Sequence, residues 1–386
     1  MTCGSLLSRE STDMNEPEPE SEPIPIPFPG GIRHSHPSPH PGIGGRFKVF
    51  PEDFVVEEIP VYEPCGTGEH LFLWIQKRDL SAESLVETVA RILHIPRDAI
   101  GVAGLKDRYA VTRQWISIPA TASDFVPELN SEALQVLRAV RHENKLKTGH
   151  LRGNRFDILI RDVDPQAASG VEELLCRIRR AGVPNFFGEQ RFGVDGETLA
   201  QGASLLKKES HPREIPFRRR KFLVRLALSA VQSSLFNEVV RLREARGILR
   251  QVQPGDVMQV CQSGGLFVAE DVPCEQIRYE ARETAITGPL FGPKMKSPRH
   301  SVFTLEQQVL EEAGLSREIF REHKKQTPGA RRPLLMFPEE MQSQPDPHGI
   351  RISFVLPSGS YATVLLREIM GETNLSSAGE SFPEKS

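Results

Sequence analysis

No Cys-x-x-Cys pair and no other zinc-ligand spacing occurs in the 386 residues, and the five cysteines, Cys3, Cys65, Cys176, Cys261 and Cys274, are scattered. A disulfide framework is a device of small secreted chains, so these read as reduced thiols. No apolar run approaches the roughly 18 residues that a membrane span needs. The amino terminus has no basic stretch followed by an apolar one of signal-peptide length. Internal repeats and a glycine-rich dinucleotide fingerprint are also missing. These absences argue against zinc-dependent, dinucleotide-dependent, secreted and membrane-inserted classes. They lead to the expectation of a cytoplasmic protein with no metal and no organic cofactor.

Neither sign of charge dominates: the formal net charge is −3. Residues 1–45 hold Arg9 and Arg33 against six acidic residues from Glu10 to Glu22, a net of −4, which leaves 46 basic against 45 acidic in the remainder, or +1. A near-neutral body binds nucleic acid only if its basic residues gather on one face, because counterion release depends on local contacts. Residues 11–45 combine Glu-Pro-Glu-Pro-Glu with His34, His36 and His40 among prolines and glycines. So little apolar surface cannot offset chain entropy, and a disordered leader over 1–45 is expected, its histidines part of a solvated tail.

Ordered structure is expected from Arg46. Phe47 to Phe50 and Phe54 to Ile59 read as strands broken by Pro51-Glu52-Asp53, and His70 to Gln76 as a third. Ser81 can cap a helix with Leu85, Val89, Ile92 and Leu93 on one face, stopped by Pro96. After a turn at Gly101 to Asp107, Gln114 to Ile118 reads as a strand, and Phe156, Ile158 and Ile160 alternate along another. Val171 to Ala181 and Ser229 to Arg246 read as helices ended by Gly182 and Gly247. Arg351 to Leu356 and Ser360 to Arg367 read as two strands joined by Pro357-Ser358-Gly359, and a loose tail is expected from about Gly371. Strands cluster in groups instead of alternating with helices, so the expected class is α+β with a mixed or antiparallel sheet.

For chemistry the residues offer one carboxylate, Asp107, in a turn between Lys106 and Arg108. Neighbouring cations favour an ionised acid, but aspartate is also an ordinary turn residue. Two basic tracts suit phosphate contacts: Arg138, Arg141, Lys145, Lys147, Arg152, Arg155 and Arg161, and then Lys207 to Arg225 with Arg218-Arg219-Arg220-Lys221. Phe156, Phe186, Phe187, Phe192, Phe217 and Phe222 interleave with them and could stack on unpaired bases, although most phenylalanines are core.

Seven ordered segments resemble the TruD family of tRNA pseudouridine synthases. They are Pro51-Glu52-Asp53-Phe54-Val55-Val56-Glu57-Glu58, Gly68-Glu69-His70-Leu71, Gly104-Leu105-Lys106-Asp107 through Gln114, Leu151-Arg152-Gly153-Asn154-Arg155-Phe156, Gly182 through Gly193, Leu228-Ser229-Ala230 with Leu235-Phe236-Asn237, and Leu356 through Thr363. The resemblance implies a pseudouridine-synthase-type sheet domain from 46–181 and 336–371, split by an inserted α+β TRUD domain at 182–335, with a tail at 372–386. It implies isomerisation of uridine, at position 13 of tRNA, by a monomer that needs no protein partner. Asp107 falls on the family's catalytic aspartate, and Phe54, Asn154 and Tyr361 fall on its substrate-contacting positions. Bacterial members carry Phe at the last of these, so its hydroxyl is a departure. Without the resemblance, a non-catalytic RNA-binding or RNA-folding protein using the same cleft is the alternative.

Overall fold

Phe54, Val56 and Glu58 alternate with Val55, Glu57 and Ile59, and in the computed structural model the first set is buried and the second half-exposed. Strand β1 (Phe54–Pro60) thus has one covered and one open face. The structure describes residues 42–371 except 105 and 216. It continues through β2 (His70–Arg78), α1 (Ala82–Ile92), β3 (Gly101–Val102), β4 (Val111–Pro119), β5 (Leu134–His142), β6 (Leu151–Arg161), α2 (Pro165–Ala168) and α3 (Val171–Ala181). Next come β7 (Val183–Pro184), α4 (Glu197–Leu206), α5 (Phe217–Ala245), β8 (Val257–Val260), β9 (Leu266–Val268), α6 (Val272–Glu280), β10 (Thr284–Leu290), α7 (His300–Glu312), α8 (Arg317–Glu322), β11 (Ala330–Pro333) and β12 (Leu335–Met336). The chain then returns as β13 (Glu339–Asp346), β14 (Gly349–Pro357) and α9 (Ala362–Met370). An eight-stranded sheet runs β13-β14-β6-β1-β4-β2-β5, with β3 beside β4; β1 and β4 are parallel and their neighbours antiparallel. The class is α+β with a mixed sheet, as the clustering of strands implied.

Two hydrophobic clusters cover the same face of this sheet. One packs Phe54, Val56, Phe156, Ile158 and Phe354 against α3 and α9, and the other packs Leu73, Ile75, Ile116 and Ile118 against α1. Between them the buried side chains turn polar: Glu58, Lys77, Thr112 and Gln114 lie on the central strands, with Val56, Thr112 and Lys77 in one row. Burying such groups costs free energy unless they are partnered, so a polar seam through an apolar face marks a site. A separate cluster, including Phe187, Leu199, Val231, Phe236, Ile286 and Leu335, gathers the residues between the two visits to the sheet.

Four expectations change. The stretch Phe47 to Phe50 is no strand: only Arg46 bridges to Arg161, and Lys48 turns into the left-handed region at φ +57°. The packed chain begins before Arg46, because Ile43 is buried against α9 and its N–H donates to Ile369 O at 2.9 Å. The helix expected at Ser229 starts at Phe217, since Val224, Ala227, Leu228 and Val231 extend its buried face through the basic run. Finally, residues 362–370 are helix α9, and the hairpin partner of β14 is β13. Leu365, Leu366, Ile369 and Met370 are all buried. A strand would have turned about half of them to water, at about 1.5–3 kcal/mol each, which outweighs the β-propensity of Thr363 and Val364.

Candidate active site

Asp107 stands in the loop between β3 and β4, over the polar seam. Lys48 Nζ donates to its Oδ2 at 3.0 Å, and the two side chains are 15% and 34% exposed, so the carboxylate is held yet reachable. The left-handed backbone of Lys48 costs about 1–2 kcal/mol for an L-residue. The neighbouring segment is tied to the same loop by Tyr109, whose hydroxyl donates to Val49 O at 3.0 Å. From below, Lys77 Nζ donates to the carbonyls of Asp107 and Leu80, both at 2.7 Å. Burial pushes the Lys77 ammonium down to about 8, with the Asp107 charge opposing and Lys106 reinforcing the shift.

Lys106 points away from Asp107 into the sheet, where its Nζ lies 2.8 Å from Glu58 Oε1 and donates to Asn154 Oδ1 at 2.7 Å. Glu58 also accepts from the Trp115 N–H at 3.1 Å; burial raises its carboxyl above the ordinary range, and Lys106 opposes that. A lysine can only donate, so the Asn154 amide must present its oxygen to Lys106. Its N–H donors have no protein partner among the described residues. Asn154 is therefore linked to the aspartate loop through Lys106 and does not itself hold Asp107.

Phe54 is 1% exposed, with Phe47 and Phe156 around it and Lys48 Nζ 4.1 Å above its ring. A ring entering over Phe54 must take the place of that ammonium. Tyr361 follows the turn after β14; Leu356 pairs with Asn154 in the sheet, and the Ser358 N–H donates to Arg152 O at 3.0 Å. Its ring meets Phe187 edge-on at 6.0 Å, and a side chain at Gly188 would come within 3.0 Å of it. The Tyr361 hydroxyl has no hydrogen bond among the described residues. Arg332 fastens this turn: it donates to Gly359 O at 2.9 Å and to Asn185 Oδ1 at 2.6 Å, and stacks 4.1 Å from the Phe187 ring centroid. Burial pushes the Arg332 guanidinium down to about 10. Asn237 grips Phe187 in turn, accepting from its N–H at 2.8 Å and donating to its carbonyl at 3.0 Å.

Lys48, Lys77 and Arg332 were not singled out in the sequence. Lys77 left a signal, a charge in phase with the buried Leu73 and Ile75 of its strand. Lys48 and Arg332 left none, because their partners are distant in the chain. Of the basic tracts, Arg138, Arg155 and Arg161 are engaged with Glu63, Glu340 and Asp53. Lys147 and Arg152 have no side-chain partner among the described residues. No group of three or more His, Cys, Asp or Glu side chains is placed to hold a metal among the described residues. No helix among them is long and apolar enough to cross a membrane.

The mixed sheet, and a second core built by the residues between its two visits, define an α+β protein with a part-exposed carboxylate over a polar seam. A solved structure provisionally named as a tRNA pseudouridine synthase D (TruD) from Methanosarcina mazei superposes with a TM-score of 0.67 and 27% identity, over 85% of this chain and 94% of that one. The family described as tRNA pseudouridine synthase D (TruD) matches residues 34–212 and 220–369. The tRNA pseudouridine synthase D of Thermus thermophilus is 44% identical over 331 residues, 86% of this chain and 90% of that protein. That of Anaeromyxobacter dehalogenans is 39% identical over 336 residues, 87% of this chain and 95% of that protein. The chain belongs to the TruD family.

Proposed function

We propose that this protein isomerises uridine to pseudouridine in tRNA, at position 13, with Asp107 as the reacting carboxylate and Phe54, Asn154 and Tyr361 around the base. The observation that carries the reading is the part-exposed Asp107 carboxylate, fixed by Lys48 above a polar seam in the sheet. The C1′–N1 bond breaks, the uracil turns, and a C1′–C5 bond forms while the C5 proton leaves and N1 gains one; nothing is oxidised or reduced. Positive charge develops at C1′ as the base departs. A carboxylate there can attack that carbon, or take the 2′ proton to give a glycal. Flipping a base out of a stem costs roughly a few kcal/mol, and stacking on an aromatic ring offsets about 1–3 of them. Lys147 and Arg152, close in sequence to Asn154, would hold adjoining phosphates. The middle segment's own buried cluster supports a catalytic domain split around an inserted domain at 182–335, with its first part including Ile43 and Gly44 as well as 46–181 and its second part 336–371. On this reading the protein works in the cytoplasm as a monomer.

The test is incubation with unmodified tRNA transcripts, then pseudouridine mapping by carbodiimide adduct and primer extension, beside Asp107→Asn. The expected result is a stop at position 13 that the variant abolishes while its tRNA affinity stays near that of the unaltered protein. Turnover retained in Asp107→Asn would refute the catalytic assignment.

A further inference from the structure

Among the six phenylalanines that interleave with the basic tracts, the fold divides core from surface. Phe156, Phe187 and Phe192 are buried and Phe186 is partly buried, whereas Phe217 is 84% and Phe222 63% exposed. Both exposed rings lie in the first two turns of α5. Phe217, Lys221 and Arg225 follow at i, i+4 and i+8, with Phe222 beyond Arg225, so the four exposed side chains span an arc of roughly 140° that adjoins the buried face of Val224, Ala227 and Leu228. The Arg220 guanidinium lies 5.6 Å from the Phe217 ring centroid. From Lys207 to Arg225 the chain holds eight basic residues against Glu209 and Glu214, a net of +6.

We propose that this face of α5 is a second RNA-contact surface, which stacks unpaired bases of the substrate on Phe217 and Phe222 while Lys221 and Arg225 meet their phosphates. The proposal rests on the tRNA reading above and deepens it. Two large rings left in water beside a dense positive field suit a polyanion with exposed planar groups, and single-stranded nucleic acid is bound by that combination. A second copy of the chain would bring the same positive field against itself. Twenty residues of α5 separate Phe217 from Asn237, which grips Phe187 beside Tyr361; at helical rise that is roughly 30 Å. The contact therefore falls on a part of the RNA well away from the flipped uridine, and a short stem-loop that carries only the target stem would not reach it.

The test compares binding of a full-length tRNA transcript and of such a stem-loop, over a series of salt concentrations, for the unaltered protein, F217L/F222L, F217Y/F222Y and K221A/R225A. The leucine pair should weaken full-length binding about tenfold or more and the stem-loop less than twofold, and the tyrosine pair should retain affinity because the rings survive. K221A/R225A should flatten the salt dependence of full-length binding by about 1.5 in log–log slope, and the leucine pair should leave that slope unchanged. Unchanged full-length affinity in the leucine pair, or equal loss on both RNAs, would overturn the proposal. Pseudouridine formation by the unaltered protein is scored separately. Ring-dependent binding with no product would sink the functional reading and leave this surface standing, and product without ring dependence would do the reverse.

Discussion

Lys106 carries more of the site than its place beside Asp107 suggested. It neutralises the buried Glu58 and orients Asn154, so its charge cannot be removed alone. Lys106→Met should cost about 3–5 kcal/mol by leaving Glu58 unpaired in the sheet, and adding Glu58→Gln should recover most of it. Urea unfolding of the single and double variants checks this; a single-variant cost below about 1 kcal/mol would mean that Glu58 finds another partner or its proton. Lys77 makes a pH prediction. Its folded pKa, about 8, lies below the ordinary 10.5, so the unfolded chain holds that proton more tightly. Stability should therefore rise with pH between those two values, and the penalty is fully present below about 8. Lys77→Met should flatten that rise, read as urea midpoints from about pH 7 to about pH 10; an unchanged slope would show that Lys77 is not the group responsible.

At the scale of elements, the turn between β14 and α9 brings Tyr361 against the inserted segment, and Arg332 locks it there. If Arg332 acts by positioning that ring, Arg332→Ala should lower kcat/KM severalfold in the unaltered background and change little in a Tyr361→Ala background. Such non-additivity is what a shared route produces, while independent effects add. The same region shows where local reading stops. Ser81 capping α1 was visible because a cap is written in adjacent residues, and the Ser84 N–H does donate to its hydroxyl at 3.0 Å. The helical state of residues 362–370 was not, since Ala362 to Val364 carries strand-like residues and the deciding term is burial of Leu365, Leu366, Ile369 and Met370 against a sheet built mostly by residues two hundred positions earlier. Strand β5 escaped for the opposite reason: as the sheet's edge it has largely exposed residues and little alternation.

For the whole molecule, the point where the fold begins has a direct test. A protein starting at residue 42 should match the full chain in activity and melting temperature. One starting at residue 46 loses Ile43 and the main-chain bonds of Ile43 and Gly44 to α9, and should lose roughly 1.5–3 kcal/mol or more. Thermal melts of the two truncations beside the full chain decide it, and equal melting temperatures would mean that the segment adds nothing to the fold.

By itself the sequence determined the class, the family resemblance, five of the eight strands of the large sheet (β1, β2, β4, β6 and β14) and helices α1 and α3, because strand alternation, helix periodicity, caps and ordered motifs are all local. It also named Asp107, Phe54, Asn154 and Tyr361, through motifs and not through any visible chemistry. Only the tertiary structure decided what surrounds them. Lys48 reaches Asp107 across 59 positions, Lys106 reaches Asn154 across 48, and Arg332 joins Asn185, 147 positions away, to the Tyr361 turn. Such contacts depend on register and on which face each residue takes once strands pair, and nothing in the neighbouring residues encodes that distance.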